Sequence, residues 1–305
     1  MTATHPVRRH VYQNHHMDST RWNYFTHRPD DIVISTAYKA GTTWMQAIVG
    51  QLLFPNGEVE DPLERSPWLD FRITPLEITL NELEAQTTRR FIKTHLPLDG
   101  LPYYPDAKYI VVGRDARDVF MSLLNHWSNH TPYFYQMINS VQGRVGEPFP
   151  EYVDSVRERW HDWTTRGWFE WESDGYPYWS HLHHCATWWE FRHVQNIKLV
   201  HYADLLADLE GQMRGIANFI GAEVPSDRWP RLVEACTFAA MKAQAAKDDG
   251  MKMVWKDGAH TFFNKGVNGR WRDVLSEQDL ALYAAAVQRT LTGECARWLE
   301  SGGAV

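Results

Sequence analysis

Four short segments of this 305-residue chain set cations, hydroxyls, glycine and histidine at spacings suited to holding an anion and moving a proton. The first is Lys39-Ala40-Gly41-Thr42-Thr43-Trp44. Gly41 permits close backbone approach, and a helix starting near Thr42 would turn its unpaired N–H groups and positive dipole end toward whatever the loop holds. Lys39 adds a full charge and Thr42 and Thr43 add hydroxyls. A Walker A loop needs its Lys after the second Gly. Here Lys39 precedes Gly41, and no glycine lies upstream within the loop.

The second segment is Lys93-Thr94-His95-Leu96-Pro97, where a Lys and a His two apart in extended chain share a side. Histidine suits removal of a hydroxyl proton near neutral pH. In the third, Arg114 closes a β-rich run and Ser122 follows two helical turns later, so the two can share one anion. Arg117 and Asp118 between them read as local ion pairs rather than ligand contacts. The fourth, Phe262-Phe263-Asn264-Lys265-Gly266-Val267-Asn268-Gly269-Arg270-Trp271, brackets Val-Asn with glycines beside Lys265, a loop whose amides can hold a phosphate.

Alternating short strands and helices must position these groups. Ile32, Val33 and Ile34 within Asp31–Thr36, Phe91 and Ile92 within Arg90–Thr94, the run Lys108–Gly113 and the run Ile197–His201 all read as buried strands. Met45, Ile48, Val49, Leu52 and Leu53 form a helical stripe stopped by Pro55-Asn56-Gly57. Asp115 is placed to cap a helix whose apolar stripe is Val119, Phe120, Leu123, Leu124 and Trp127, with Ser122 on another face. Residues 130–195 read as helical and Trp-rich, with Tyr152, Val153, Val156, Trp160 and Trp163 on one helix face. A helix through Phe219 and Ile220 ends at Gly221. The pattern implies an α/β fold: a central, mostly parallel sheet flanked by helices in a single domain over residues 1–305, with an N-terminal extension over 1–30. Ligands of such sheets bind at the C-terminal strand ends, where Lys39, His95, Arg114 and Tyr202 fall.

Composition excludes several classes. A formal charge of −7 gives no broad attraction to nucleic acid, so any bound anion needs a local site. No run approaches the roughly 18 apolar residues of a membrane span, and Met1–His16 lacks the apolar stretch of a signal peptide, which together indicate a cytoplasmic protein. Cys185, Cys236 and Cys295 show neither a disulfide framework nor zinc-ribbon spacing. His181, His183, His184 and Cys185 have no second pair at ligand spacing, so they read as helix packing and no metal is expected. More than half of the 15 Trp fall between Trp127 and Trp189, and some of them suit the wall of a pocket for an apolar alcohol or phenol.

Together the segments resemble the cytosolic-type sulfotransferase family. Lys39–Trp44 is similar to its KSGTTW loop, Lys93–Pro97 to KTHLP, Arg114 to Ser122 to its Arg-to-Ser spacing and Phe262–Trp271 to FFRKGxxGDW. Tyr202 in His201-Tyr202-Ala203-Asp204 resembles a YED-type site, and Cys236–Met241 resembles TSFxxM. The order is kept from about residue 31 to 272. This resemblance implies a sheet like that of P-loop nucleotide kinases and a metal-independent enzyme using 3′-phosphoadenosine 5′-phosphosulfate, with adenosine 3′,5′-bisphosphate as product.

Carried over position by position, Lys39, Ala40, Gly41, Thr42, Thr43 and Trp44 would hold the 5′-phosphosulfate, with Trp44 near the adenine. Arg114, Ser122, Lys265 and Gly266, with Phe263 and Asn264 beside them, would hold the 3′-phosphate; Tyr202, Thr237, Phe238 and Met241 would contact the adenosine. His95 would be the base, assisted by Lys93, with Lys39 and Ser122 completing the catalytic set. The acceptor would be a small hydrophobic alcohol, phenol or lipid.

Three positions depart from the family pattern. Ala40 replaces a Ser, Asn264 an Arg and Arg270 the Asp of GDW, and the family's dimer motif is not recognisable in Arg272–Ala281, which leaves the oligomeric state open. Two other readings share the coarse fold, a nucleotide kinase and a non-catalytic nucleotide-binding module. The absent Walker A weighs against the first, and Lys39, Lys93 and His95 weigh against the second.

Overall fold

Four strands follow from the four buried runs. In the computed structural model, which describes residues 5–58 and 62–305, they are β1 (Ile32–Thr36), β2 (Phe91–Thr94), β3 (Lys108–Gly113) and β4 (Ile197–His201). All pair in parallel, in the order β2-β1-β3-β4. Alternate side chains serve two cores, as the period of a strand requires. Ile32, Ile34, Phe91, Ile110, Val112 and Val200 pack into one; Val33, Ile92, Tyr109 and Val111 pack into the other.

Strands β1 and β2 start at their first apolar residues, one position inside the segments Asp31–Thr36 and Arg90–Thr94. Asp31 and Arg90, just ahead of them, are tied to each other: Arg90 Nη2 donates to Asp31 Oδ2 at 2.6 Å and Nε to Oδ1 at 2.9 Å, both side chains buried. This pair fixes the N-terminal ends of the two strands in register, leaving their C-terminal ends to carry the loops.

The helices that matter for the site are α1 (Thr42–Leu53), α2 (Leu76–Ala85), α3 (Ala116–Ser128), α4 (Pro132–Asn139), α5 (Val156–Thr165), α6 (His181–Glu190), α7 (Tyr202–Ala207), α8 (Leu209–Ile220), α9 (Trp229–Ala235) and α10 (Phe238–Ala245). Asp115 caps α3 by accepting from the Arg117 amide, and Gly221 ends α8 in the left-handed conformation. Helices α1, α8 and α9 cover one face of the sheet; α3, α5 and α6, with the C-terminal helices Glu277–Thr290 and Gly293–Ser301, supply the core on the other.

Two expectations need correction. Residues 130–195 are not continuously helical: α4, α5 and α6 are separated by irregular chain containing Gly143, Gly146, Pro148, Pro150, Gly175 and Pro177. Tyr152 and Val153 therefore do not share the helix face of Trp160 and Trp163. Ser155 caps α5 through the Glu158 amide, the helix begins at Val156, and Val153 is exposed. The segment ahead of β1, described from residue 5, is packed into the fold. Tyr12, His15, His16, Met17 and Trp22 are buried, and Tyr12 Oη donates to Asp99 Oδ1 at 2.9 Å. Residues 1–4 of that segment lie outside the described residues.

Candidate active site

The β1–α1 loop turns on two left-handed residues, Lys39 (φ 65°) and Gly41 (φ 120°). A non-glycine residue there is strained, and such strain persists where the surroundings over-determine it. Gly41 is the N-cap of α1 and supplies no side-chain cap, so the first amides of a 12-residue helix are left for an outside acceptor. A Cβ on Gly41 would come within 3.0 Å of the Tyr202 ring. Thr42 is anchored through its hydroxyl to Thr36 Oγ1 at 2.5 Å.

His95 follows β2. Its Nδ1 lies 2.8 Å from the carbonyl of Thr36. A carbonyl can only accept, so Nδ1 carries the proton and Nε2 keeps its lone pair. Both hydrogen-bond contacts of the ring among the described residues are made by Nδ1. Trp179 Nε1 donates to the His95 carbonyl at 3.1 Å, and the ring meets Trp68 and Tyr38 edge-on at 4.6 and 4.9 Å. Burial first, then the Lys93 charge, hold its pKa well below the ordinary value, so the imidazole is neutral.

Three cations gather without matching acids. Burial, with Arg114 and Lys93 nearby, lowers Lys39 to about 7; burial lowers Lys93 to about 8, against a weaker opposing pull from Asp70. Lys39 Nζ sits 4.3 Å from the Phe262 ring centre and Lys93 Nζ 4.8 Å from that of Trp68. Asp70 is itself occupied, accepting from Thr94 Oγ1 at 2.6 Å, from Trp22 Nε1 at 2.8 Å and from Trp68. Such a site gains most from an anion that restores full charge to its lysines.

Arg114 lies against the Tyr202 ring, its guanidinium carbon 4.0 Å from the ring centre. It donates to the Lys39 carbonyl at 3.3 Å, and its Nε and Nη2 reach Asn268 Oδ1 at 3.2 and 3.1 Å. Asn268 belongs to the C-terminal loop, which Asp118 also holds by accepting from the Gly269 amide at 2.7 Å. Arg117 pairs with Asp115 at 2.7 Å, as expected; Asp118 instead supports this loop. Trp44 Nε1 donates to the Cys236 carbonyl at 2.8 Å, and its ring meets Tyr202 edge-on at 5.1 Å.

These parts face one cavity of about 500 Å³. Lys39, Gly41, Thr42, Thr43 and Trp44 line it from the first loop, Lys93 and His95 from the second. Arg114, Ser122 and Tyr202 follow, then Phe238 and Met241 from α10, and Phe263, Asn264, Lys265 and Gly266 from the C-terminal loop. Two expected residues do not line it. Ala40 is fully buried beneath the loop, and Thr237 spends its hydroxyl capping α10, accepting from Ala240 N at 3.2 Å and donating to the Glu234 carbonyl at 2.8 Å.

The histidines of α6 brace the site. His184 Nε2 lies 2.9 Å from Ser35 Oγ, which itself donates to the Leu96 carbonyl, and His181 Nε2 donates to the Arg114 carbonyl at 2.9 Å. Among the described residues no group of three or more His, Cys, Asp or Glu is placed to hold a metal ion, and no helix is long and apolar enough to cross a membrane.

Sequence reasoning missed several cavity residues. Arg270, a departure from the family pattern, lines the cavity close enough to Arg114 to repel it. His126, Tyr38, Trp68 and His16 also line it. His126 was discoverable as the residue one helical turn beyond Ser122; the others come from irregular segments without periodicity.

The chain is similar to known proteins along most of its length. A family model described as Sulfotransferase domain matches residues 29–294. A glycolipid sulfotransferase of Mycobacterium tuberculosis is 32% identical, covering 99% of this chain and 98% of its own. Rat sulfotransferase 1A1 is 28% identical over 88% of this chain and 87% of its own. Among solved structures, mouse sulfotransferase SULT7A1 complexed with PAP superposes with a TM-score of 0.67 at 18% identity, covering 92% of both chains. Retinol dehydratase in complex with androsterone and PAP gives 0.66 at 23% identity, covering 90% of this chain and 84% of its own.

Proposed function

Since this chain belongs to the sulfotransferase family, we propose that it moves the sulfuryl group of 3′-phosphoadenosine 5′-phosphosulfate to a hydroxyl of a hydrophobic acceptor, with His95 as the base. The observation that carries the reading is the tautomer of His95: a proton fixed on Nδ1 by the Thr36 carbonyl leaves Nε2 able to take one. In the step, the acceptor oxygen forms a bond to sulfur while its proton passes to Nε2, and the bond from sulfur to the bridging phosphate oxygen breaks. The charge left on that oxygen is met by Lys39 and the uncapped amides of α1.

Arg114, Ser122, Lys265 and Gly266 suit the 3′-phosphate. Arg270, which lines the same cavity as Asn264, adds a further cation there. Trp44, Tyr202, Phe238 and Met241 suit the adenosine. Alignment and fixed electrostatics then carry most of the rate, by analogy with phosphoryl transfer.

Trp68, Phe71, Ile73, Phe134 and Met137 give the acceptor side of the cavity an apolar lining. The names of the glycolipid sulfotransferase relatives are a reason to try lipids with a sugar head first. The same reading keeps the enzyme in the cytoplasm.

The experiment is a thermal shift with adenosine 3′,5′-bisphosphate against ATP–Mg²⁺, followed by transfer of labelled sulfate into a panel of alcohols, phenols and lipid extracts. A rise in Tm with the bisphosphate and label in an acceptor support the reading. Stabilisation by ATP–Mg²⁺ alone refutes it in favour of a kinase; stabilisation by the bisphosphate with transfer to nothing leaves a binding module.

A further inference from the structure

The charge on the cavity wall has one sign. Among the described residues that line it, Lys39, Lys93, Arg114, Lys265 and Arg270 are cations and none carries a carboxylate. Asp70, which pulls weakly on Lys93, does not line it and already accepts from Thr94, Trp22 and Trp68. Burial keeps the rings of His16, His95 and His126 neutral, so the imidazoles of the wall add no charge.

A bound donor answers most of these cations. Its 3′-phosphate would meet Arg114, Lys265 and Arg270, and its phosphosulfate would meet Lys39, with about four negative charges in all. Lys93 is the fifth cation. Its Nζ lies 4.8 Å from the Trp68 ring centre, and Trp68 stacks on Phe71 with centroids 4.4 Å apart and planes 10° from parallel. Both rings belong to the apolar acceptor side of the cavity. Lys93 therefore stands in the wall against which the acceptor lies. In such surroundings a charge is weakly screened. Burying an acceptor's charged end costs desolvation whichever its sign, and only a negative end recovers part of that cost from the lysine.

We propose that the acceptor site selects by the sign of charge: of two hydroxyl compounds alike except at a charged end, it takes the anion and rejects the cation. Its acceptors are then uncharged or anionic, and not amines. The inference rests on the sulfuryl-transfer reading above and narrows its acceptor by charge.

The test compares 3-(4-hydroxyphenyl)propionate with tyramine, which share a hydroxyphenylethyl frame and end in a carboxylate and an ammonium. Tryptophan fluorescence of the full chain, saturated with adenosine 3′,5′-bisphosphate at pH 7, gives the two Kd values, and labelled donor gives the two kcat/KM values. The wild-type protein is expected to favour the propionate by roughly tenfold or more in both measures. Lys93→Met keeps an apolar stem over Trp68 and removes the charge. It should slow transfer to both compounds and bring their Kd values to within about threefold of each other. Met137→Glu, which adds a carboxylate to the acceptor side, should move the ratio the same way. Binding of the bisphosphate to each variant reports folding.

Equal affinity for the two compounds, or a preference for tyramine, in the wild-type protein overturns the inference whatever the variants do. So does a Kd ratio left unchanged in a Lys93→Met protein that binds the bisphosphate. Failure of both compounds to bind a wild-type protein that holds the bisphosphate overturns it as well. A wild-type protein that does not bind the bisphosphate sinks the sulfuryl-transfer reading itself.

Discussion

Lys39 Nζ rests 3.4 Å from Nδ1 of His126, with no carboxylate within ion-pair distance among the described residues. The ammonium donates to Nδ1, so His126 Nε2 holds the ring proton and donates to Tyr38 Oη at 3.2 Å. A neutral imidazole, kept so first by burial and then by the Lys39 charge, steers this lysine without neutralising it. Burial first, then the neighbouring Arg114 and Lys93 charges, hold Lys39 near 7, and burial holds Lys93 near 8, so both titrate close to neutrality in the free protein.

A bound polyanion must raise both lysine pKa values, so binding takes up protons. The sign follows from the free-state values. Below about 7 the lysines are already charged and no uptake is needed, whereas above 8 each must be protonated on binding. Affinity for adenosine 3′,5′-bisphosphate should fall as pH rises from 7 to 9, with the steepest loss approaching roughly tenfold per unit for each lysine titrated. Calorimetry at pH 8 in two buffers of different ionisation enthalpy reads the uptake directly. Zero net uptake would show that the lysines do not meet the anion.

The C-terminal loop should be sensitive at two positions. Gly266 has φ 65°, and an added Cβ would lie 2.6 Å from the Phe238 ring, so Gly266→Ala must strain the loop and displace Phe238 together. We expect a roughly tenfold loss of bisphosphate affinity, about 1–2 kcal/mol, with little change in the Tm of the free protein. Arg270→Ala should cost a similar amount through one lost charge contact, and that cost should shrink at high salt. Fluorescence titration of both variants checks this; an Arg270→Ala protein with unchanged affinity would leave Asn264 uncompensated.

Away from the site, Asp31→Ala should destabilise the protein by about 3–5 kcal/mol, because it leaves the Arg90 guanidinium buried with only part of its partners. Urea denaturation measures this. A loss under about 1 kcal/mol would mean that the strand ends are fixed by the ladder alone.

What could be read in advance follows from burial. Each strand is a short apolar run covered on both faces, so its sequence announces it, and the loops after Thr36, Thr94, Gly113 and His201 fall where a parallel sheet gathers ligand groups. The Asp115 cap and the Gly221 stop are local chemistry and were equally legible.

Irregular chain was not. The buried path of Tyr12, His15 and His16 has no period, and its value lies in contacts to residues far along the chain, such as Asp99 and Pro177. Tyr152 and Val153 match a helical stripe, yet Ser155 starts the helix after them. Thr237 sits in a recognisable motif but spends its hydroxyl on a cap, a choice set by the start of α10 rather than by the motif. Arg270 looked like a loss from the motif and proves to be a cation facing the cavity.

The central claim is that one imidazole, oriented by the Thr36 carbonyl, takes the acceptor proton. The most direct measurement is single-turnover transfer of labelled sulfate from the saturating donor by wild-type and His95→Ala proteins, beside bisphosphate affinity for both. The account predicts a rate lower by roughly 10²-fold or more with affinity nearly unchanged. A His95→Ala protein that transfers at the wild-type rate, or one that loses affinity and rate in equal measure, would contradict it.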